Sequence, residues 1–130
     1  MPELPDGGAT DDEVCALAGV DRAFLRELES YGLVASHRVG VLTVYDADAV
    51  EAVVAAAGLC RHGLEPRHLR LWRTTVDKEI NLIEQLVVPL MRQRNPRARV
   101  QASEVAHDIE ALGAELRAAM IRAALRDLVG

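Results

Sequence analysis

The last third of the chain carries the pattern that most restricts its fold. From about residue 97 to residue 129, apolar positions alternate four- and three-residue steps, the heptad spacing of helices that pack side by side. These positions are Val105, Ile109, Leu112, Leu116, Ala119 and Ala123. A helix of about 30 residues is about 45 Å long, more than a small domain can cover. We therefore predict that it packs on the preceding helix, on a second copy of the chain, or on both.

The first half of the chain has the signals of two short helices joined by a tight turn. Thr10 and Glu13 have capping-box spacing before a first helix that Gly19 ends. Asp21 can cap a second helix, whose apolar positions recur at three- and four-residue steps until Gly32. The order is typical of a helix-turn-helix.

Residues that favour strands follow the second helix. Residues 33–36 and 41–45 are β-prone, and residues 37–40 favour the turn between them. We predict a two-stranded wing here.

Two further helices precede the last one. Asp46 caps the third helix, which ends near Gly63. Pro66 opens the fourth helix, and Pro89 and Pro96 kink or end it. The predicted fold is mainly α and has three parts: a disordered lead or linker over 1–9, a winged helix-turn-helix over 10–64, and a long helical hairpin over 65–130.

The charge distribution disfavours DNA binding, which is the usual task of a winged helix-turn-helix. The first 60 residues hold 11 acidic and 3 basic side chains, a net charge of −8. Affinity for DNA comes chiefly from Lys and Arg that neutralise phosphates, so this half disfavours contact with duplex DNA. Residues 61–130 hold 12 basic and 9 acidic side chains, so the two halves differ in task.

The sequence favours a cytoplasmic protein without membrane partners. Cys15 and Cys60 are too few for a disulfide framework, so we expect reduced thiols. There is no signal-peptide pattern and no 18-residue apolar run.

No metal, cofactor or catalytic site is predicted. Cys60, His62 and His68 are residue types that bind Zn or Cu. However, two positions that are two residues apart on a helix point about 200° away from each other. The acidic residues of the fourth helix have no neighbouring nucleophile and base, so we predict that the chain is not an enzyme.

A set of positions in the stretch GVDRAFLRELESYGL resembles a known family. The set consists of Gly19, Val20, Leu25, Arg26, Glu29, Gly32 and Leu33, followed by Tyr45 in the wing. It is similar to the pattern of the MerR family of bacterial transcription regulators. The stretches YDADAV, LEPRHLR and VPLMRQRNPRAR further resemble the C-terminal half of an actinobacterial subgroup linked to cell division.

The resemblance implies a role for the long last helix. MerR-like proteins dimerise through an antiparallel pair of such helices, so the six heptad residues become the expected homodimer interface. The alternative is a monomeric hairpin that buries the same stripe once. DNA would be bound by the full-length protein, through a first domain that precedes this one.

The chain departs from the MerR pattern at positions that contact DNA in that family. The departures are Ala23, Glu27, Leu28 and Thr43. Arg26 and Arg38 remain as candidate phosphate contacts, and Arg92 and Arg94 add a basic loop whose simpler interpretation is a solvated turn. We expect this half not to be the main DNA reader.

His68 and Trp72 stand one helical turn apart and are the candidate effector pocket, although such a tryptophan is more often a core residue. The hypothesis is a regulatory and homodimerisation domain of a MerR-like regulator, which receives a small-molecule or protein effector. One alternative is a self-contained winged-helix DNA reader. Another is an adaptor that binds a protein partner with its wing edge or second helix.

Overall fold

The computed structural model describes residues 8–130, so most of the predicted lead lies outside the described residues. Within 8–130 the fold is mainly α with a small antiparallel sheet, as predicted. The strands are β1 (Ala9–Thr10), β2 (His37–Val39) and β3 (Leu42–Tyr45). The helices are α1 (Asp11–Ala18), α2 (Arg22–Ser30), α3 (Ala47–Arg61), α4 (Arg70–Met91) and α5 (Pro96–Val129), and a 3-10 turn (Pro66–Leu69) precedes α4.

The chain forms two compact units. The winged unit extends to Val76 and the hairpin unit covers Asp77–Gly130, so the division between the units falls inside α4.

Side-chain caps begin the first three helices where the sequence predicts them. The Thr10 hydroxyl accepts a hydrogen bond from the Glu13 N–H, and the Glu13 carboxylate accepts one from the Thr10 N–H. Asp21 and Asp46 accept bonds of 2.8 Å from the backbone N–H groups at the third positions of α2 and α3. Gly19 ends α1 in the left-handed region, at φ 69°. These local bonds confirm the predicted helix starts.

The wing differs from the prediction in extent and in strand number. The strand expected over residues 33–36 begins instead at His37, because β3 pairs with His37, Arg38 and Val39, and Val34 lies before this ladder as a core residue. The turn is Gly40 and Val41, and Gly40 supplies the positive φ of 61° that a two-residue hairpin turn needs. β1 adds a third strand, giving the order β1-β3-β2.

The core of the winged unit joins its first three helices and the 3-10 turn. Its most buried large side chains are Val14, Leu25, Leu28, Val53 and Leu69. They come from α1, α2, α3 and the 3-10 turn. This core holds α2 and the wing in fixed positions.

The hairpin unit buries much less. Ala98 and Ala102 are its buried hydrophobic residues within the described chain, and α4 has none along its whole length. Pro89 does not end α4, which continues to Met91. Asn95 caps α5 by accepting a bond of 2.8 Å from the Ala98 N–H.

Candidate functional site

A cleft of about 380 Å³ separates α2 from the wing. Arg22, Arg26 and Glu29 follow one another at helical spacing along the α2 wall. Arg38 and Thr43 are cross-strand partners in the wing wall. All three basic residues of the first 60 therefore line one cleft in an otherwise acidic half.

The three arginines of this cleft differ in their partners. The Nε of Arg22 donates to Asp12 at 3.1 Å, and Asp11 lies 3.8 Å from its guanidinium. The hydrogen bond that Arg22 donates to Asp12 and the negative charge of Asp11 raise the pKa of Arg22. Within residues 8–130, the side chains of Arg26 and Arg38 have no hydrogen-bond or ion-pair partner. Two exposed guanidinium groups therefore remain for an external anion.

One buried hydrogen bond closes the end of the cleft. The Tyr45 hydroxyl donates to the carboxylate of Glu29, and Tyr45 is only 2% exposed. Burial and the Glu29 carboxylate raise the pKa of Tyr45. Both residues belong to the set that resembles the MerR pattern, but nothing in their spacing indicated that they bind each other.

The four departures from the MerR pattern do not share one environment. Ala23 and Glu27 are exposed, and Thr43 lines the cleft. Leu28 is fully buried in the core, which corrects its sequence-based place among DNA-contacting positions. The i, i+3 relation to Leu25 puts both leucines on the inner face of α2.

The other predicted basic residues lie in the hairpin unit. Arg92 and Arg94 are exposed in the loop between α4 and α5. The loop borders a hollow of about 500 Å³ that Arg99 also lines. Among the described residues these arginines have no carboxylate partner. The predicted phosphate-contacting arginines are therefore divided into two groups, one in the winged unit and one in the hairpin unit.

The predicted effector residues His68 and Trp72 have different surroundings. Trp72, 44% exposed, lines an apolar groove of about 360 Å³ in the winged unit. The groove's other lining residues are Leu33, Ala52, Ala55, Ala56, Leu59, Leu69, Arg73 and Val76. His68 is exposed, and its Nδ1 instead accepts a bond of 2.9 Å from the Glu65 N–H. The sequence signal for this groove was the run of alanines on α3, which leaves space beside Trp72.

A second apolar groove, of about 460 Å³, lies between α4 and α5 in the hairpin unit. Ile109 and Leu116 of the predicted heptad stripe line it, but Val105, Leu112, Ala119 and Ala123 do not. Leu112 and Leu116 are 56% and 63% exposed. The groove therefore includes only two of the six residues of the predicted stripe.

Both cysteines of the described chain are free and half-buried. Burial is the main cause that raises the pKa of Cys15 and of Cys60, which disfavours the thiolate form that metals bind. No group of three or more potential metal ligands occurs across residues 8–130.

Comparison with known families identifies the chain. A family model described as the Rv1828-like C-terminal domain matches residues 8–129. The chain belongs to this family.

Two mycobacterial proteins are similar to this Rv1828-like domain. They are named as the HTH-type transcriptional regulators Rv1828 of Mycobacterium tuberculosis and Mb1859 of Mycobacterium bovis. Each is 34% identical over 102 residues, which is 75% of this chain and 41% of the relative. The chain therefore spans less than half the length of these relatives.

In the part of the Rv1828-like domain that the structure describes, no helix has the length and hydropathy needed to cross a membrane. The domain's main surface features are the arginine cleft, the Trp72 groove and the hairpin groove.

Proposed function

We propose that this Rv1828-like domain is the regulatory and homodimerisation domain of a MerR-like bacterial transcription regulator. DNA is read mainly by another part of the full-length protein. The names of the two mycobacterial relatives support a role in transcription, and the short share of their length that the chain covers leaves room for a separate reading domain.

The observation that carries the dimerisation role is the apolar surface of the hairpin unit. α4 and α5 have 22 and 34 residues, yet their buried residues are two alanines of α5. Helices in proteins are stabilised mostly by packing of an apolar face rather than by intrinsic propensity. The exposed side chains that a partner can cover are Leu82, Leu86, Leu112, Leu116, Met120, Ile121 and Leu125.

A stable dimer has to cover several apolar side chains on each copy. Complete burial of a Leu, Ile or Met side chain stabilises by about 1.5–3 kcal/mol. Association costs on the order of 4–15 kcal/mol, so several of these half-exposed side chains must be covered on each copy. The exposed apolar side chains of α5 extend along enough of this 34-residue helix to supply several such contacts.

The acidic winged unit argues against DNA reading as its main task. A net charge of −8 over the first 60 residues repels a polyanion, and one of the three arginines there already pairs with aspartates. The winged fold then serves as a scaffold. Its Trp72 groove supports the effector-binding part of the proposal, because its volume and apolar walls fit a small apolar ligand.

The oligomeric state of the chain tests the proposal. Light scattering should give the mass of a dimer at tens of micromolar, and Leu112→Glu/Leu116→Glu should give a monomer. The matched control is Leu71→Glu, since Leu71 is 62% exposed and lies outside the hairpin unit. A monomeric wild-type chain contradicts the proposal.

The unpaired Arg26 and Arg38 favour one alternative, a winged unit that itself reads DNA. Titration with labelled duplex at several salt concentrations separates the two functions. The regulatory domain should bind weakly and without sequence preference. Nanomolar, sequence-dependent binding that Arg26→Ala/Arg38→Ala abolishes, and that the control Arg61→Ala retains, would establish the alternative.

A further inference from the structure

The loop between α4 and α5 and the helix ends beside it are strongly basic. Residues 85–103 contain four arginines and no acidic residue, which gives them a net charge of +4. The four are Arg92, Arg94, Arg97 and Arg99. Within the described chain, none of their side chains has a hydrogen-bond or ion-pair partner. This charge is therefore not neutralised by any side-chain contact that the structure describes.

Helix stability accounts for only two of these arginines. Arg92 and Arg94 follow the C-terminal end of α4, where a positive charge interacts favourably with the helix dipole. Arg97 and Arg99 instead lie in the first four residues of α5, where the same interaction is unfavourable. The first turn of α1 has three acidic residues, whereas the first turn of α5 has none. A bound anion is the favourable partner that these two arginines lack.

Arg99 lines two hollows of different character, both within the hairpin unit. The loop hollow, of about 500 Å³, is also lined by Arg92 and Arg94. The apolar hollow has a volume of about 380 Å³. Its other lining residues are Val87, Met91, Ala102, Ser103 and Ala106. Met91 lines both hollows, so a basic compartment and an apolar one meet at Arg99 and Met91.

The three arginines of the loop hollow suit a phosphate group. Guanidinium groups bind carboxylate and phosphate oxygens through pairs of parallel hydrogen bonds. A carboxylate offers one negative charge and two oxygens, whereas a phosphate monoester has a charge of about −1.5 to −2 at pH 7 and three acceptor oxygens. Three unpaired guanidinium groups around one hollow therefore match a phosphate monoester better than a carboxylate.

We propose that the end of the hairpin unit binds a small phosphate monoester with an apolar tail. The phosphate lies against Arg92, Arg94 and Arg99, and the tail lies in the apolar hollow beside Met91 and Ala106. Both volumes are within the range of small-molecule sites. Duplex DNA fits less well, because it has no apolar group to fill the second hollow. This phosphate site is separate from the Trp72 groove and goes beyond the proposed function.

Three probes separate the contributions of the two hollows. Isothermal titration calorimetry of the whole chain should show binding of octyl phosphate. Its affinity should be at least about tenfold higher than that of inorganic phosphate, because burial of about two methylene groups already gives that factor. Octanol, which has the tail without the charge, should bind at least about tenfold more weakly than octyl phosphate. Equal affinities for octyl phosphate and octanoate would overturn the phosphate assignment.

Two arginine variants distinguish a defined site from diffuse charge attraction. Arg99→Ala should lower the affinity for octyl phosphate at least about tenfold, since it removes a charged hydrogen-bond donor. Arg97→Ala is the matched control, because it removes the same charge two residues away and Arg97 lines neither hollow. Equal losses in the two variants would overturn the proposal.

Filling the apolar hollow tests the position of the tail. Ala106→Leu should weaken binding of octyl phosphate but not of inorganic phosphate, whereas Ala118→Leu should weaken neither, because Ala118 is exposed on α5 and lines neither hollow. Far-UV circular dichroism should show equal helix content in both variants. Equal affinity of wild type and Ala106→Leu for octyl phosphate would overturn the tail position. Displacement of octyl phosphate by a labelled duplex, with equal duplex affinity in wild type and Ala106→Leu, would identify a nucleic-acid contact instead.

Discussion

The hydroxyl group of Tyr45 donates a hydrogen bond to the carboxylate of Glu29 and thereby joins the last strand of the wing to α2. Tyr45 is almost fully buried and Glu29 is half-buried. Because the bond has a charged acceptor and little access to water, it is stronger than an exposed neutral one. It fixes the width of the cleft that contains Arg26 and Arg38.

Removing this hydroxyl should destabilise the winged unit. Tyr45→Phe keeps the ring but leaves the Glu29 carboxylate without its donor, so we expect the free energy of unfolding to fall by about 1.5–3 kcal/mol. Chemical denaturation followed by circular dichroism measures this change. Tyr31→Phe is the control, because the ring of Tyr31 lies under Arg70 and Tyr31 does not line the cleft. Equal losses in the two variants would contradict the special role of Tyr45.

The same bond predicts a pH dependence in the alkaline range. The pKa of Tyr45 is raised in the folded chain above its ordinary value of about 10. A group with a raised folded-state pKa contributes stability that is fully present below its unfolded-state pKa and is lost as the pH rises above it. The difference in unfolding free energy between wild type and Tyr45→Phe should therefore shrink above about pH 10. A difference that stays constant from pH 8 to pH 11 would refute this prediction.

The aspartate cap of α3 should contribute measurably to stability. Asp46→Ala removes the side-chain acceptor of the Ala49 N–H, so we expect a loss of about 1 kcal/mol in unfolding free energy. Asp48→Ala in the first turn of the same helix is the control, because that carboxylate accepts no backbone N–H bond within the described residues. In thermal unfolding, the Tm of wild type and of Asp48→Ala should be higher than that of Asp46→Ala. The reverse order would argue against the cap.

The buried position of Leu28 can be tested by shortening its side chain. Leu28→Ala creates a cavity in the core and should cost about 2–5 kcal/mol in unfolding free energy. Leu17→Ala makes the same chemical change at a side chain that is 66% exposed, and should cost well under 1 kcal/mol. Urea denaturation compares the two. Similar midpoints would show that Leu28 lies at the surface, as its place in the MerR pattern had suggested.

The Trp72 groove should bind a small apolar probe. Trp72 is the single tryptophan of the chain, so its emission reports directly on this groove. Titration with 1-anilinonaphthalene-8-sulfonate should quench that emission through energy transfer. Ala55→Leu should weaken the effect by filling the groove, whereas Ala118→Leu on α5 should not. Undiminished quenching in Ala55→Leu would place the probe elsewhere.

The helix starts could be predicted from the sequence because their causes are local. The Thr10, Asp21 and Asp46 side chains each accept a hydrogen bond from a backbone N–H three residues later, so the residue types at that spacing are enough to predict the cap. The mainly α fold followed for the same reason. The start of the wing could not be predicted in this way, because it depends on which residues pair with β3, and the partners are His37–Val39 rather than the β-prone residues 33–36.

Which residues line the candidate sites could not be predicted in the same way, because this depends on packing between elements that are distant in the sequence. One helical turn separates His68 from Trp72, yet the His68 side chain caps the 3-10 turn and only Trp72 lines the groove. The heptad stripe was visible in the sequence, but the direction in which α4 packs decides that Ile109 and Leu116 line the hairpin groove while Leu112 does not.

The sequence by itself determined where helices begin, that the first half is acidic, and that the last helix carries more apolar surface than one short domain covers. Only the tertiary structure decided that Arg26 on α2 and Arg38 on the wing face one cleft. The physical reason is distance along the chain. Caps and charge counts depend on neighbours a few residues apart, whereas the cleft exists because the core and the Tyr45–Glu29 hydrogen bond hold α2 against the wing.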